Sequence, residues 1–362
     1  MLFFTPVIEF NTAGRRRSSV VVFALGAFTA IFGGRSSEAA TLGSVSVERL
    51  SSQELRVQWS GSSPVDIFVS TAPGSSVEEA EHVATASSAG VFDFKRRLDR
   101  RPYFILRDQA DGKVRRVAER NLPLERGSNF RDIGGYPTVD GRHVRWGAIY
   151  RTAAMPDLSE RDHRYIRQLG IREDIDLRSS DERSVWPDKL PLETGALYIS
   201  NDYKFDRTKL AYSDWLTELR PQLRQMFQAL LRHDGAVIVH CSAGQDRTGI
   251  ATALILFALG VPQNVIVDDY LLSAYYREPR YEVSAVDLGR FQENAYVQFI
   301  EQIGGTDPRQ KPEPLYDNQG IPYLMSAFDD MSRHWGSVMT YLRGELGVGP
   351  VEVQRLRLIY LE

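Results

Sequence analysis

The sequence predicts an α/β domain with a mostly parallel sheet and helices on both of its faces, preceded by a small all-β sandwich. From residue 119 onward, short apolar runs alternate with amphipathic stretches of helical length, which is the pattern of repeated strand–helix units. Before residue 119, alternating β-branched segments recur about every ten to twelve residues, which is typical of sandwich strands. We therefore expect residues 41–118 to form the sandwich and residues 119–362 to form the α/β domain.

In the sandwich, turn signals such as Pro73-Gly74 and Asp111-Gly112 separate the expected strands. Examples of these strands are residues 45–48, 55–59, 65–69 and 103–106. The spacing resembles that of a fibronectin type III or immunoglobulin-like module, in which Trp59 would be a core residue.

In the α/β domain, strands are expected at residues 148–151, 171–176, 196–199 and 236–240. Ser159 and Ser213 are plausible helix caps, and a long loop is expected at residues 304–320, where three prolines fall. The expected helices cover residues 159–169, 213–232, 247–259, 263–276, 321–334, 338–346 and 350–360.

Residues 1–40 have the features of a secretory signal peptide. Arg15, Arg16 and Arg17 precede an uncharged, largely apolar run of about 15 residues and then small residues. The run is shorter than the ~20 residues of a membrane span, so we expect no stable span in the mature chain; an uncleaved anchor is the alternative. We expect export, to the periplasm or the medium, and the consecutive arginines also permit a twin-arginine signal.

The net charge bears on the kind of partner that we expect, and the cysteine content bears on disulfide bonds. The net charge is −3, and removing residues 1–40, with four arginines and two glutamates, brings it to about −5. This balance does not favour nucleic acid as a partner. The single cysteine, Cys241, excludes a disulfide framework.

Residues 240–249 carry the most specific signal, reading His-Cys-Ser-Ala-Gly-Gln-Asp-Arg-Thr-Gly. They follow a run of strand formers and precede an apolar helix-like stretch. In such a loop the backbone N–H groups converge, and the positive end of the helix dipole adds to them. The loop therefore predicts a site for an anion, with a phosphate monoester as the natural ligand.

Each loop residue has a chemical reason for its type. Cys241 is the expected nucleophile and reacts as a thiolate, which the surrounding positive field favours. Arg247 can hold two phosphate oxygens with its planar guanidinium, so we expect neither a metal nor another cofactor. The expected phosphate-binding residues of the loop are Ser242, Ala243, Gly244, Gln245 and Thr248, with His240 orienting the loop from the preceding strand.

The loop resembles that of protein tyrosine phosphatases, closest to the atypical tyrosine/lipid branch with His-Cys-x-Ala-Gly-Lys-Asp-Arg-Thr-Gly. Residues 129–136 (Asn-Phe-Arg-Asp-Ile-Gly-Gly-Tyr), 146–152 and 176–179 fit the same branch in the same order, and residues 336–347 resemble its ending. The resemblance covers roughly residues 120–362. It implies a cysteine-dependent phosphatase acting on phosphotyrosine in proteins, with phosphoinositides as the alternative substrates.

One position departs from the branch, because Gln245 stands where its members carry lysine. The resemblance implies that this lysine helps to bind multiply phosphorylated lipid head groups. Because Gln245 lacks its charge, the phosphoinositide alternative is weakened. Arg131, Arg151 and Arg178 can supply charge from elsewhere, and we take Arg131 and Arg178 as candidate substrate-binding residues; the alternative is that they are solvated surface arginines.

Three aspartates compete as the general acid. The resemblance places an important aspartate at Asp246, our first candidate. Asp176 ends a predicted strand and should emerge at the sheet edge of Cys241; its alternative role is pairing Arg178 or Arg151. Asp188, in a Trp-Pro-Asp run, is third, because it lies further from Cys241 than the mobile acid of the better-known tyrosine phosphatases.

Three other functions stay open at this point. The protein can be a phosphate-binding reader without catalysis, a scaffold acting through residues 41–118, or a persulfide-transferring enzyme of the rhodanese type. The intact cysteine, aspartate and arginine of the loop argue against a reader without catalysis. The Arg-Thr-Gly ending argues against a rhodanese-type enzyme, which does not need it.

Overall fold

Two antiparallel sheets form the N-terminal part of the computed structural model, which describes residues 42–86, 90–96, 100–304, 312 and 314–362. Their strand orders are β1-β2-β5 and β4-β3-β6-β7. Side chains of both sheets share one apolar core, in which Trp59 is buried as expected. The strands are β1 (Val45–Ser51), β2 (Glu54–Trp59), β3 (Val65–Ser70), β4 (Glu81–Ala86), β5 (Val91–Lys95), β6 (Tyr103–Asp108) and β7 (Val114–Ala118).

The four strands named as examples in the prediction do not include β4, β5 and β7. Each is an edge strand of its sheet. In β7 the adjacent Arg115 and Arg116 interrupt the apolar alternation that marks a strand. The predicted signal peptide lies outside the described residues.

A five-stranded sheet forms the centre of the α/β part, with strand order β11-β10-β12-β9-β8. Only β8, at one edge, is antiparallel to its neighbour, so the predicted mostly parallel sheet is confirmed. All five residues of the middle strand, β12, are buried. The strands are β8 (Arg131–Asp132), β9 (Ile149–Thr152), β10 (Ile171–Asp176), β11 (Leu197–Ile199) and β12 (Ala236–His240).

Helices cover this sheet. The helix after β12, α6, is buried on nearly all sides, as its almost wholly apolar sequence requires. The helices are α1 (Glu160–Arg167), α2 (Ser180–Val185), α3 (Leu190–Thr194), α4 (Tyr212–Glu218), α5 (Arg220–Arg232), α6 (Asp246–Leu259), α7 (Gln263–Leu271), α8 (Ser273–Tyr276), α9 (Ala295–Gln302), α10 (Leu324–Trp335), α11 (Val338–Leu346) and α12 (Pro350–Tyr360).

Several helix boundaries differ from the prediction. The helix expected at residues 213–232 is divided into α4 and α5, because Pro221 fits only the first turn of a helix. Ser159 caps α1 as expected, accepting from the Asp162 N–H, whereas α4 begins at Tyr212 and does not use Ser213 as its cap. The helices α2, α3 and α9 were not predicted.

Each of the two parts of the described chain places one buried side chain against the other part. Trp146, from the α/β part, packs into the core of the sandwich. Arg101, from the sandwich, is buried against Asp132 with an Nη1–Oδ2 distance of 2.6 Å. The described residues belong to one compact unit, and the domain boundary at residue 118 stays a prediction. Within the described chain, every helix is either too short or too polar to cross a membrane.

Candidate active site

The loop after β12 has the conformation that an anion site needs. Cys241 follows the strand directly and is 2% exposed, and α6 begins at Asp246. Gly244 has a φ of +63°, and a Cβ there would clash with the backbone of Thr152 and Ala153 at the end of β9. Only glycine fits this position without strain, because the turn is left-handed and the neighbouring chain is in contact.

Two side chains bind the loop carbonyls from outside. Asn129 Nδ2 donates to the oxygens of Ala243 at 3.1 Å and Gly244 at 2.9 Å. Arg151 Nη2 also donates to the Gly244 oxygen, at 2.8 Å. Because these carbonyls are held on the outer side, the loop amides are free to face the opposite side, where an anion can bind.

Arg247 is fixed by a carboxylate that the sequence analysis did not single out. Its Nη1 and Nη2 atoms donate to Glu182 Oε2 at 2.7 Å and Oε1 at 2.6 Å, and Nη1 also donates to the Tyr203 hydroxyl at 3.0 Å. Burial opposes ionisation of Glu182, but Arg247 lowers the pKa of this carboxyl to about 2. Ser242 Oγ donates to the same carboxylate, so Glu182 links the start and the end of the loop.

A cleft of about 310 Å³ opens above the loop. Cys241, Ser242, Ala243, Asp246 and Arg247 line it. Of the predicted site residues, the structure therefore brings together the nucleophile, the arginine and the first acid candidate. The remaining described lining residues are Tyr203, Phe205, Asp206, Lys209, Leu210, Trp215, Glu218, Arg277, Pro279, Glu282, Val283, Tyr296, Phe299, Ile300 and Ile303.

Two tyrosines orient Asp246 at the edge of this cleft. The Tyr212 hydroxyl donates to Asp246 Oδ1 at 2.6 Å. The Tyr270 hydroxyl lies 2.7 Å from that of Tyr212 and 3.4 Å from the same carboxylate oxygen. One carboxylate oxygen of Asp246 is thus held by the protein, while the residue still faces the cleft.

Asp176 and Asp188 lie elsewhere. Asp176 is at the same sheet edge as His240, as predicted, but it is buried, outside the cleft lining and paired with Arg178 at 2.7 Å. Arg178 also pairs with Asp188 at 2.8 Å. Burial opposes ionisation of Asp176, but Arg178 and His240 keep the pKa of Asp176 well below its usual value. Its role as a partner of Arg178 thus fits the structure better than a role as the acid.

His240 completes this buried network. Its Nε2 lies 3.1 Å from Asp174 and 3.4 Å from Asp188. Burial lowers its pKa, but Asp176, Asp174 and Asp188 outweigh that effect and raise the pKa of His240 to about 10. Asp176, Asp188 and His240 bring possible metal ligands within 4.8 Å of one another, but the Arg178 guanidinium already contacts both aspartates as their cation.

The candidate substrate-binding arginines are not at the cleft. Arg178 is in the buried network, and Arg131 is fully buried, donating to Asn129 and to the Asp269 carbonyl at 2.8 Å. Arg131 therefore supports the loop through Asn129, whereas Arg178 pairs with Asp176 and Asp188. Gln245 is buried as well, and its Oε1 accepts from Arg277 Nη1 at 2.8 Å. The Thr248 hydroxyl is buried without a hydrogen bond to any described residue.

Sequence reasoning assigned no site role to Glu182, Tyr212 and Arg277, nor to Asn129, which it named only as the start of the motif at residues 129–136. For Glu182 a signal existed, since Ser179 and Glu182 form a Ser-x-x-Glu capping box at the start of α2. This helix follows the end of β10, beside the strand that carries Cys241. The other three come from distant segments, and their positions follow only from the tertiary fold.

Comparison with known proteins agrees with this geometry. The sequence model of the tyrosine phosphatase family matches residues 122–362, and the chain belongs to this family. It is 32% identical over 227 residues to a tyrosine-protein phosphatase of Nostoc commune, which covers 58% of this chain and 73% of that protein. It is 27% identical over 275 residues to the triple specificity protein phosphatase of Mycobacterium tuberculosis, covering 64% of this chain and 96% of the relative. The protein is therefore a cysteine-based phosphatase.

Proposed function

We propose that this protein hydrolyses phosphotyrosine in proteins through a cysteinyl-phosphate intermediate. The observation that carries the proposal is that Cys241, Asp246 and Arg247 line a single cleft. Nucleophile, acid and phosphate clamp are the groups that the reaction requires.

In the first step, the Cys241 thiolate attacks phosphorus and a P–S bond forms while the P–O bond to tyrosine breaks. The phenolic oxygen leaves with a proton from Asp246. Arg247 and the loop amides bind the equatorial phosphate oxygens, whose charge they stabilise in the transition state. Glu182 holds Arg247 in the orientation that this requires.

In the second step, water attacks phosphorus and Asp246, now ionised, takes its proton. The P–S bond breaks, and inorganic phosphate and the Cys241 thiolate are released. The hydroxyl of Thr248 has no other described partner and is available to donate to the departing thiolate.

The walls of the cleft support an aryl ester as substrate. Phe205 contacts Tyr296 and Phe299 with ring centroids 5.1 and 5.2 Å apart, and all three rings line the cleft. Such a wall favours a phenyl ring over a sugar. The names of the two relatives also support a protein substrate over a phosphoinositide.

The test is hydrolysis of a phosphotyrosine peptide and of a phosphoinositide panel by the reduced protein, beside Cys241→Ser. We expect turnover of the peptide that Cys241→Ser abolishes. Preferred turnover of the lipids would overturn the substrate, and an unchanged rate in Cys241→Ser would overturn the mechanism.

We also propose that the protein is exported. The support is the sequence of residues 1–40, with its basic start, apolar run and small residues. Mass spectrometry of the protein from its host cells, fractionated by compartment, tests this. An intact N-terminus on a cytoplasmic protein would contradict it.

A further inference from the structure

We propose that the cleft selects phosphotyrosines flanked by apolar or basic residues and disfavours those flanked by acidic residues. This inference rests on the proposed function and specifies its substrate class. It follows from the balance of charges around the cleft and from where each cation is held.

Carboxylates outnumber cations in the described lining. Apart from Asp246 and Arg247, which act on the scissile phosphate, Asp206, Glu218 and Glu282 stand against Lys209 and Arg277. Arg247 is required for the scissile phosphate, so the cations that remain for the rest of a substrate are Lys209 and Arg277.

Lys209 lies between two acids at the mouth of the cleft. Its Nζ is 3.8 Å from Asp206 and 3.7 Å from Glu218. This group of three residues, which we call the acidic rim, has one cation and two carboxylates. A negative side chain approaching the acidic rim therefore meets net repulsion rather than a free ammonium group.

Arg277 is committed to its protein partners. Its Nε and Nη2 donate to the two oxygens of Glu282 at 2.9 and 2.8 Å, and its Nη1 donates to Gln245 Oε1 at 2.8 Å. The pair is buried and carries no net charge. A lysine at position 245 would place an ammonium group against this guanidinium, whereas the neutral amide of glutamine accepts its hydrogen bond.

The presence of Gln245 in place of lysine therefore agrees with the charge balance of the whole cleft. Every cation of the described lining lies within 4 Å of a carboxylate, and the loop itself contributes no second cation. A second phosphate or an acidic neighbour of the phosphotyrosine would find no uncompensated positive charge among these residues.

The rest of the cleft mouth is apolar. Leu210 and Ile303 are 36% and 48% exposed and line the cleft. Such surfaces gain free energy when an apolar side chain covers them. Apolar neighbours of the phosphotyrosine are thus accommodated by these residues, and basic neighbours by the acidic rim.

The experiment compares three phosphotyrosine peptides that differ only in having alanine, lysine or glutamate on both sides of the phosphotyrosine. We expect kcat/KM for the glutamate peptide to be about tenfold lower than for the lysine peptide at low ionic strength. At 0.5 M salt the difference should largely disappear, because salt screens charges at the surface of the cleft.

Charge reversal in the acidic rim provides the second arm. Glu218→Lys and Asp206→Lys should each raise kcat/KM for the glutamate peptide relative to the lysine peptide. The control is Glu48→Lys, which adds the same charge on an exposed position of β1, in the sandwich; it should leave the preference unchanged.

The outcomes separate the two proposals. Cys241-dependent hydrolysis of all three peptides at equal rates, or fastest hydrolysis of the glutamate peptide, would overturn the selectivity and leave the tyrosine phosphatase function standing. A rim variant with the preference of Glu48→Lys would also overturn it. No Cys241-dependent turnover of any peptide would overturn both.

Discussion

Glu182 holds both Nη atoms of Arg247, at 2.7 and 2.6 Å, from a helix that lies more than sixty residues earlier in the chain. The carboxylate is buried and also accepts from Ser242 and from the backbone N–H of Ser179. Because this one carboxylate bonds to the N-cap residue of α2, to the loop and to Arg247, it determines how the Arg247 guanidinium is oriented toward the phosphate.

Replacing Glu182 by Gln should lower kcat/KM for a phosphotyrosine peptide by about 100-fold, because a displaced guanidinium no longer matches the transition state. It should also lower the free energy of unfolding by about 3 kcal/mol, since a buried ion pair loses one partner. Steady-state kinetics and urea unfolding measure both effects.

The control is Glu193→Gln, which removes a carboxylate from an exposed pair with Arg167. Such pairs contribute about 0–1 kcal/mol, and activity should be unchanged. Wild-type activity in Glu182→Gln would contradict the positioning role.

The general acid can be identified from its dependence on the leaving group. Asp246→Asn should lower kcat/KM about 100-fold or more on a phosphotyrosine peptide and far less on p-nitrophenyl phosphate, whose leaving group needs no proton. The comparison uses kcat/KM because this parameter reports the first step, before Asp246 serves as the base for water. Asp176→Asn and Asp188→Asn should slow both substrates equally, if at all, because both side chains are buried in an ion network. A leaving-group dependence in Asp176→Asn instead would reassign the acid.

Gly244→Ala should abolish measurable activity. The added Cβ would meet the backbone of Thr152 and Ala153, and the φ of +63° is strained for alanine. Gly141→Ala separates the two causes, because Gly141 has a φ of +84° but open space around it. That variant should lose only about 1 kcal/mol of stability and keep its kcat. Equal kinetics in the two variants would contradict the close approach of β9 to the loop.

The ion pair between Arg101 and Asp132 should make the sandwich and the α/β part unfold together. Arg101→Gln should lower the free energy of unfolding by about 3 kcal/mol, because Asp132 stays buried without its cation. The control Arg56→Gln breaks a partly exposed pair with Asp93 and should cost about 1 kcal/mol or less. Urea unfolding followed by both fluorescence and circular dichroism would reveal two separate transitions if the parts are independent.

His240 should make stability depend on pH in the alkaline range. Its pKa rises from 6.5 to about 10 in the folded protein, so the proton bound there stabilises the fold fully below pH 6.5. That contribution is lost as the pH rises through 10. The loss of unfolding free energy in His240→Asn should therefore be largest at pH 6 and shrink toward pH 10. A loss that is constant over this range would contradict a protonated His240.

The sequence predicted the loop well because strand, loop and helix are contiguous in the chain, and each residue type has a local reason. It also placed Asp176 correctly at the sheet edge of His240. It could not predict which way the Asp176 side chain points, because a position at the sheet edge does not determine the partner of a side chain. In the structure that partner is Arg178, two residues further along the chain.

The arginines illustrate a second limit. Arg131 and Arg178 were expected near the substrate or in solvent, since arginine is seldom buried unless it is paired. Both are fully buried, because carboxylates and carbonyls of β10, α7 and the segment around Asp188 surround them. Such partners meet only in the folded chain, as do Asn129 and Gly244.

The most direct test of the central claim is rapid quenching of the protein with a phosphotyrosine peptide carrying labelled phosphate. We expect label to appear on the denatured protein, at no more than one phosphate per chain, in the peptide that contains Cys241. Cys241→Ser should acquire none. Hydrolysis of the substrate at the wild-type rate without labelled Cys241 at any quench time would contradict nucleophilic catalysis by this cysteine.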